Sequence, residues 1–502
     1  MASKAAANTT EIGFEEKIWQ AADRMRGHID ASEYKNVVLG LIFLKYISDR
    51  FDERHRALVE EGEGFEEDRD EYLCDNIFFV PKDARWEVVA AAAHTPEVGK
   101  TIDAAMRAIE AENPSLKGIL PKNFARQELD KRMLGDVVDL FTNIEMAVGG
   151  TQDVLGRTYE YCLAKFAEAE GKNAGEFYTP TCIVRTLVEV VQPYHGRVYD
   201  PCCGSGGMFV QSARFVEHHA GAINDISVYG QESNPTTWKM AKMNLAIRGI
   251  DANLGPHNAD TFFDDLHRSE RFDFVLANPP FNLKDWGGER LADDPRWDFG
   301  VPPAGNANFA WMQHMVHHLG PRGRLGLVLA NGSLSSQTSG EGDIRRAIVE
   351  ADLVEGIVAL PGKLFYNTQI PACLWIIDKA KRRPGETLFV DARGLGQAVT
   401  RKHSELTDAD ITRIAGAFGA FRAGELEAEP GFCAAATTDE IAAQDYVLTP
   451  GRYVGLAEAT DDGEPFEQKM GRLTGELAEL FEESDRLQDE IRRNLEAIGY
   501  GR

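Results

Sequence analysis

Long apolar runs are missing from this sequence of 502 residues. No stretch of eighteen or more apolar residues occurs, so no transmembrane helix is expected. The N-terminal residues also lack the apolar core of a secretory signal peptide, which predicts a cytoplasmic protein with no membrane partner. Cysteine is sparse as well: the 7 cysteines form no disulfide framework, no C-x-x-C pair is present, and we expect no metal site.

Positive charge is scarce: the sequence contains 54 Lys and Arg residues against 80 Asp and Glu residues, which gives a formal net charge of −26. Nonspecific binding to nucleic acid depends on neutralising phosphates with Lys and Arg, so the chain alone is not expected to grip DNA broadly. A G-x-x-x-x-G-K-[ST] phosphate loop is absent too, which argues against an ATP-driven motor. The hydrophobic share of 43% is ordinary for a globular protein, and the length indicates two or three domains.

The pattern of apolar residues divides the chain into three parts. Residues 14–60 have helical spacing, with an apolar stretch at 37–47 that predicts a buried helix, and further helices are expected to about residue 148. From about residue 195, short β-rich runs alternate with helical segments, which predicts an α/β fold with a largely parallel, doubly wound sheet. The predicted domains are an all-helical N-terminal domain at 1–150, the sheet domain at 151–455 and a C-terminal helix within 456–502.

A glycine-rich segment follows the first predicted strand. It begins at Asp200 and contains Gly204, Ser205, Gly206 and Gly207. Glycines let the backbone turn tightly and approach a ligand closely, and the helix that follows presents free N–H groups at its start. Taken alone, this is also compatible with an ordinary turn between a strand and a helix. The two cysteines inside the segment are expected to be packing residues rather than nucleophiles.

Acidic residues follow the next two predicted strands. Glu232 stands at the end of the second strand, where a carboxylate can accept both hydroxyls of a ribose, as in dinucleotide-binding folds. Asp260 follows the third strand and can accept a hydrogen bond from an adenine amine. Glu232 is equally compatible with a solvated loop, and for Asp260 a loop is the stronger interpretation, because Asp is common in turns.

The strongest signal is the tetrad Asn278, Pro279, Pro280 and Phe281, at the end of an apolar strand. Two prolines fix the backbone, so the Asn side-chain oxygen and the Pro279 carbonyl can act as two rigid acceptors, while Phe281 offers a flat face to a planar base. An exocyclic amine has its lone pair delocalised into the ring. Two acceptors that take hydrogen bonds from the amine draw electron density toward its nitrogen and orient the nitrogen for attack on a sulfonium methyl group. The tetrad therefore indicates methylation of an exocyclic amine without a covalent enzyme intermediate.

One more segment, with the sequence Gly-Glu-Phe-Tyr-Thr-Pro-Thr, occupies residues 175–181. Thr179 before Pro180 is a good pair for an N-cap and a first helical turn, which predicts that a helix begins here. On this ground alone, Phe177 and Tyr178 are equally compatible with core residues.

Together these residues resemble the modification (methyltransferase) subunit of type I restriction–modification systems, over about residues 14 to 380. The segment 175–180 matches the family pattern letter for letter, and the segments 39–49 and 153–161 are similar to the family. Asn-Pro-Pro-Phe alone is not specific, since RNA and protein-glutamine methyltransferases share it or a Tyr variant. Its combination with the helical N-terminal domain is specific.

The resemblance implies a DNA adenine N6-methyltransferase that uses S-adenosylmethionine, with a helical domain, a methyltransferase domain and a C-terminal helix. The implied catalytic residues are Asn278, Pro279, Pro280 and Phe281. The implied cofactor-binding residues are Glu176, Phe177, Tyr178, Thr179, Pro180, Thr181, Asp200, Gly204, Ser205, Gly206, Gly207, Glu232 and Asp260. Thr181 departs from the family, in which Arg is frequent at this position.

The resemblance also implies partners. No large recognition domain remains after residue 380, which agrees with a family in which a specificity subunit reads double-stranded DNA, with two modification subunits for each specificity subunit and a restriction motor subunit as a further partner. A separate DNA-reading subunit also accounts for the acidic charge. The C-terminal helix is expected to dock on it, or else to pack on its own catalytic domain, through a heptad seam of Phe466, Met470, Leu473, Leu477, Leu480, Ser484, Leu487 and Ile491.

Three alternatives stay open on the sequence alone. A cytosine N4-methyltransferase would use the same amine chemistry and the same tetrad. An RNA or protein-glutamine methyltransferase shares the tetrad but usually lacks a long helical N-terminal domain. A non-catalytic scaffold would only hold a DNA-reading partner, although the intact tetrad and glycine loop argue against it.

Overall fold

The computed structural model describes residues 16, 19–20, 23, 31–142, 151–170, 178–219, 221–222, 225–365, 370–401, 403–456 and 466–497. Contacts divide the chain into two units, Met1–Gly455 and Leu456–Arg502. Across these described ranges, no helix is both long and apolar enough to cross a bilayer. The three-domain division at residues 150 and 455 stays a prediction.

The N-terminal part is helical, as the apolar spacing predicted. Its helices are α1 (Ala31–Glu61), α2 (Asp70–Leu73), α3 (Trp86–Ala91), α4 (Val98–Glu112), α5 (Lys131–Thr142) and α6 (Thr151–Glu170). The apolar stretch of α1 is buried on all sides, because α1 contacts α3, α5 and α6. Gly40 interrupts this stretch for a steric reason: a Cβ at this position would lie 2.4 Å from Cγ of Pro121.

A nine-stranded sheet with helices on both faces follows. Its strands are β1 (Gly196–Asp200), β2 (Ile226–Gly230), β3 (Ala252–Asn253), β4 (Phe272–Ala277), β5 (Leu319–Ala330), β6 (Val354–Ala359), β7 (Ala372–Asp378), β8 (Glu386–Asp391) and β11 (Cys433–Thr437), in the order β11-β8-β6-β7-β5-β4-β1-β2-β3. Two short strands, β9 (Gln397–Ala398) and β10 (Ser404–Glu405), form a separate antiparallel pair. The α/β prediction is confirmed.

The helices of this part enclose two hydrophobic cores, one on each face of the sheet. One face is covered by α7 (Thr181–Val191), α8 (Gly207–His218), α9 (Pro235–Ile247) and α12 (Asp408–Ala423), and the other by α10 (Asn308–His318), α11 (Glu341–Glu350) and α13 (Thr438–Ala442). A second side of α9, with Met240, Met243 and Ile247, joins the core of the N-terminal helices. The two parts of the first unit therefore share packed side chains.

The strand directions are mixed. β3, β2, β1, β4 and β5 run parallel, as predicted, whereas β7 is antiparallel to both β5 and β6, and β11 is antiparallel to β8. β7 is buried along its whole length. A strand buried on both faces has the same apolar composition in either direction, so its residues do not encode its orientation.

The parallel strands bring three motifs to one edge of the sheet. β1 lies between β2 and β4, and Asp200 pairs with Gly230 while Tyr199 pairs with Val275. Since the carboxyl ends of parallel neighbours meet at the same edge, the segments that follow β1, β2 and β4 converge there. These are the segments that begin at Asp200, Glu232 and Asn278.

The second unit contains a single described helix, α14 (Phe466–Ala497). The seam side chains from Met470 to Ile491 that the structure describes are exposed, with the large apolar ones between 43% and 66% accessible to solvent. The side chain of Phe466 lies outside the described residues. The helix itself was predicted; its partner remains a prediction.

Candidate active site

Asn278 is held at the end of β4 by a residue from a distant segment. Its Nδ2 donates a hydrogen bond to Oγ1 of Thr179 at 3.0 Å. Its Oδ1 is buried, and no described residue donates a hydrogen bond to it. A buried polar oxygen without a partner costs about 1–3 kcal/mol, so this oxygen is available to accept a hydrogen bond from a ligand.

Two adjoining clefts open beside this side chain. The first is lined by Tyr178, Thr179, Asp200, Cys202, Cys203, Gly204, Ser205, Gly207, Met208 and Asn278. The second shares Tyr178, Thr179, Ser205 and Gly207 with the first and is otherwise lined by residues of α6, α7, α8 and α9. The glycine loop and Asn278, the first residue of the tetrad, therefore line one space.

The glycines of this loop act in two ways. Gly204 and Gly206 have φ values of +54° and +81°, in the left-handed region where a side chain is strained. A Cβ on Gly206 would lie 3.4 Å from Cγ of Leu245, whereas a Cβ on Gly207 would meet nothing within 4 Å. Gly207 lines both clefts, so it is the glycine that leaves room for a ligand.

The Glu232 carboxylate is oriented by backbone groups. Oε2 accepts a hydrogen bond from the N–H of Gly204 at 3.1 Å, and Oε1 accepts one from the N–H of Asn234 at 2.7 Å. These bonds tie the end of β2 to the glycine loop. Burial nevertheless raises the pKa of Glu232, because desolvation outweighs the backbone donors.

Asp200 is more strongly perturbed. It is almost fully buried at the floor of the first cleft, where Oδ1 accepts a hydrogen bond from the N–H of Cys202 at 3.0 Å. Burial raises the pKa of Asp200 to about 7, and the nearby Glu232 charge adds to the shift. A carboxylate in this state favours a cationic ligand, which offsets its desolvation.

The adjacent cysteines are not nucleophiles. Burial, with the charges of Asp200 and Glu232 nearby, raises the pKa of both the Cys202 and Cys203 thiols well above the usual value. A thiol must ionise to attack, so these side chains stay neutral and pack, as the sequence indicated.

Asp260 lies at the same edge but outside the two clefts. It is exposed, and its Oδ1 accepts a hydrogen bond from the N–H of Phe262 at 2.9 Å, which forms a tight turn. The preceding residue, Ala259, donates its N–H to the carbonyl of Glu232 at 3.0 Å, so the turn stays beside the Glu232 segment. A role of Asp260 in binding a cofactor stays a prediction.

The segment before α7 differs from its predicted form. Glu176 and Phe177 lie outside the described residues, and the structure describes the segment from Tyr178. The prediction that Thr179 caps a helix is wrong, because α7 begins at Thr181 with Pro180 in the N-cap position and no side-chain cap. The Thr179 hydroxyl is instead engaged by Asn278.

Phe281 contacts a residue that the sequence did not single out. Its ring stands edge-on to that of Phe365, with centroids 5.4 Å apart and an interplanar angle of 79°. Phe281 is half-buried and Phe365 is buried. Phe365 follows β6, far along the chain, and no motif marks it. Only the fold shows that a second aromatic ring lies beside the ring of Phe281.

A cluster of Asp265, His314 and His318 lies behind the site, with ligand atoms within 4.8 Å of one another. The prediction of no metal site did not take account of the two histidines, which stand four residues apart on α10. However, Nδ1 of His314 lies 3.1 Å from the Arg296 guanidinium, and Nε2 lies 3.3 Å from the Tyr199 hydroxyl. Burial lowers the pKa of His314 well below its usual value. A guanidinium so close to the His314 ring nitrogen repels a metal cation. We therefore interpret these contacts as a hydrogen-bond network. The absence of a metal stays a prediction.

Comparisons with known proteins agree on one family. The N-6 DNA Methylase family matches residues 150–462, and the HsdM N-terminal domain matches residues 14–141. The type I restriction enzyme HindI methylase subunit of Haemophilus influenzae is 49% identical over 443 residues, covering 84% of this chain and 100% of that protein. The type I restriction enzyme MjaIX methylase subunit of Methanocaldococcus jannaschii is 40% identical over 515 residues, covering 97% of this chain and 92% of that protein.

A solved structure gives the same result for the fold. The crystal structure of the type I restriction-modification system methyltransferase subunit from Streptococcus thermophilus superposes with a TM-score of 0.75 at 26% identity. The match covers 88% of this chain and 99% of that one. The likeness therefore extends over the helical part and the sheet.

Proposed function

The chain belongs to the N-6 DNA methylase family, among the methylase subunits of type I restriction enzymes, and from this premise we propose that it transfers a methyl group from S-adenosylmethionine to N6 of adenine in double-stranded DNA. The observation that carries the proposal is the buried Oδ1 of Asn278, a residue that lines the first cleft; no described residue donates a hydrogen bond to this oxygen. An adenine amine is such a donor. A cytosine amine would donate equally well, but the family match favours adenine.

The base would be bound by the tetrad. Oδ1 of Asn278 and the carbonyl of Pro279 would accept the two hydrogens of the amine, and Phe281 would stack on the ring. Target bases inside a duplex must leave the stack before such contacts form. Because Thr179 already holds the other end of the Asn278 amide, the acceptor needs no reorganisation when the base arrives.

The cofactor would be bound by the glycine loop and the two buried carboxylates. When bound, S-adenosylmethionine supplies an electrophilic methyl group on a sulfonium. Glu232 would accept hydrogen bonds from the ribose hydroxyls, and Asp200 would face the cationic amino-acid end. The open space over Gly207 fits a ligand that approaches the backbone closely. Asp260 and the segment from Glu176 to Thr181 would complete the site.

Partner subunits would supply the DNA contacts that an acidic chain lacks. The net charge of −26 is unfavourable for binding phosphates, which supports a separate specificity subunit. We propose that α14 docks on that subunit through its exposed seam, as a coiled-coil helix needs a partner to cover it. Two modification subunits for each specificity subunit, a restriction motor subunit and a cytoplasmic location belong to the same proposal.

Mass spectrometry of nucleosides tests the reaction. DNA from cells that carry the gene together with its specificity subunit should contain N6-methyladenine, and DNA from cells without the gene should lack the additional amount. N4-methylcytosine in its place would favour the alternative base. No modified nucleoside in DNA, with the complex assembled, would favour a scaffold.

A further inference from the structure

Helix α6 carries a sequence segment, residues 153–161, for which the proposed reaction has no role. The structure gives the end of this segment a defined environment. Oε1 of Glu160 accepts hydrogen bonds from Oγ1 of Thr181 at 3.2 Å and from Nε2 of Gln211 at 3.3 Å. Oε2 of Glu160 lies 3.3 Å from Arg214 and 3.3 Å from Arg248. One carboxylate thus joins α6 to α7, to α8 and to the residue that follows α9.

Arg248 is more enclosed than Arg214, the other arginine beside Glu160. Its side chain is 11% exposed, and besides Glu160 it donates a hydrogen bond to the carbonyl of Gly156 at 2.6 Å. It also donates to the carbonyl of Asn244 at 3.1 Å and to the side-chain oxygen Oδ1 of the same residue. The guanidinium therefore fixes the Asn244 amide by its oxygen and leaves the amide nitrogen free to point elsewhere.

That nitrogen reaches the glycine loop. Nδ2 of Asn244 donates a hydrogen bond of 2.7 Å to the carbonyl of Ser205, between two buried groups. Ser205 lines both clefts, next to the glycines with positive φ. A charge-assisted bond to Arg248 strengthens the amide as a donor, since bonds in a chain polarise one another at low dielectric. The path from Glu160 to the Ser205 carbonyl consists of hydrogen-bonded or ion-paired contacts only.

The other side of α6 packs on the N-terminal helices. The ring of Phe166 stands edge-on to that of Tyr34 on α1, with centroids 5.2 Å apart, and both residues are buried. Tyr159, also buried, donates its hydroxyl hydrogen to the carbonyl of Met240 on α9 at 3.2 Å. Helix α6 is consequently packed between α1 and α9, from which Asn244 projects.

We propose that Glu160, Arg248 and Asn244 are positioning residues that hold the Ser205 carbonyl, and with it the cofactor-binding conformation of the glycine loop. The inference rests on the proposed function, because it takes the loop as the S-adenosylmethionine site. If these residues act in this way, the affinity for the cofactor depends on the position of α6. The N-terminal helices and the cofactor site are then energetically coupled. None of the three side chains need touch the reacting atoms.

The sharpest test is Asn244→Asp in the full-length chain. Asp keeps the shape and the acceptor for Arg248 but has no N–H for the Ser205 carbonyl. We expect the Kd for S-adenosylmethionine, measured by calorimetry, to rise about tenfold with an unchanged melting temperature. In the assembled complex, KM for the cofactor should rise by the same factor while kcat and KM for DNA change less than about twofold. An unchanged cofactor Kd would overturn the proposal.

Glu160→Gln provides a second, independent arm. It keeps the size of the side chain and removes the charge that holds Arg248, so the cofactor Kd should rise about threefold. Combined with Asn244→Asp, it should add nothing further, because both act through the same carbonyl. Full additivity would show that the path does not exist. Glu168→Gln is the matched control, since it breaks the exposed pair with Lys165 on the same helix and should leave the Kd unchanged.

The outcomes separate this inference from the function on which it rests. If the unmodified chain bound no S-adenosylmethionine, the proposed function itself would fail. If it bound the cofactor and both variants bound it equally well, only the positioning role would fail. Asn244→Asp could also lower the melting temperature by several degrees. The effect of Glu160→Gln on the cofactor Kd, measured in the chain that already carries Asn244→Asp, would then still decide, because both chains in this comparison share the lower stability.

Discussion

The Asn278 amide and the Thr179 hydroxyl, 99 residues apart in the chain, meet at 3.0 Å. This bond joins the tetrad at the end of β4 to the segment that precedes α7. It uses the donor end of the amide and leaves the buried acceptor oxygen without a donor among the described residues. The orientation of the proposed catalytic acceptor is thus set by a residue outside the tetrad.

Thr179→Val should therefore slow methyl transfer. Val has nearly the same shape but offers no acceptor to Nδ2 of Asn278, so the amide loses its fixed orientation. We expect the single-turnover rate of the complex at saturating S-adenosylmethionine to fall about 5–20-fold. Thr186→Val, at a buried hydroxyl that bonds only within α7 at 2.7 Å to the Cys182 carbonyl, is the control. Equal rates for both variants would refute the positioning of Asn278 by Thr179.

Cofactor binding should depend on pH through Asp200. Its pKa of about 7 in the free protein means that half of the molecules lack the charge near neutrality. If the cationic end of the cofactor requires the ionised form, the Kd at pH 6 should be about tenfold weaker than at pH 8. Burial raises the pKa of Glu232 as well, which acts in the same direction. Asp200→Asn should flatten the profile; an unchanged pH dependence in this variant would exclude Asp200 as the titrating group.

Asp200 should also make the stability of the fold depend on pH, but stability should fall with rising pH whereas cofactor affinity should rise. Its pKa is higher in the folded chain than the ordinary value of 3.8, so the folded state binds more protons than the unfolded state between about pH 4 and pH 7. The contribution of Asp200 to the free energy of unfolding therefore falls as the pH rises through this window. In thermal melts of the cofactor-free chain, the melting temperature should decline less with rising pH for Asp200→Asn than for the unmodified protein.

Residues that follow strands could be predicted from the sequence, because the ends of parallel strands must meet. Asp200, Glu232 and Asn278 each stand at or after the end of a predicted strand, and the structure brings them to one edge. The role of Thr179 was not predicted, because local preference favours it as a helix cap and only the fold brings Asn278 to it. Phe365 and Asn244 were missed for the same reason: single apolar or amide residues within ordinary elements carry no local signal of a contact made far along the chain.

Phe281→Ala should weaken capture of the flipped base. Stacking of a base on an aromatic ring contributes about 1–3 kcal/mol, so the fluorescence of 2-aminopurine at the target position should fall markedly in the complex with the variant. Phe281→Tyr keeps the ring and should restore the signal. If the fluorescence of the Ala variant matched that of the unmodified complex, Phe281 would serve only to pack against Phe365.

The seam of α14 should be needed for assembly. Each buried Leu contributes about 1.5–3 kcal/mol, so truncation at Asp462, or Leu477→Asp with Leu480→Asp, should abolish a stable complex with the specificity subunit. The truncated chain should keep its fold and cofactor binding, and Glu479→Ala, off the seam, should assemble normally. Co-purification of the truncated chain at full stoichiometry would reject the docking role. Insolubility or a sharply lower melting temperature would instead favour packing on its own catalytic domain.

The most direct test of the central claim is Asn278→Ala in the assembled complex, followed by single-turnover methyl transfer to a duplex that contains the recognition site. Loss of a preorganised acceptor costs about 3–4 kcal/mol, so the rate of N6-methyladenine formation should fall 10²–10³-fold or more. Calorimetry on the same variant should give a cofactor Kd within a few fold of the unmodified protein, because Asn278 would bind the base. A near-normal rate of methyl transfer by this variant would contradict the assignment of the active site.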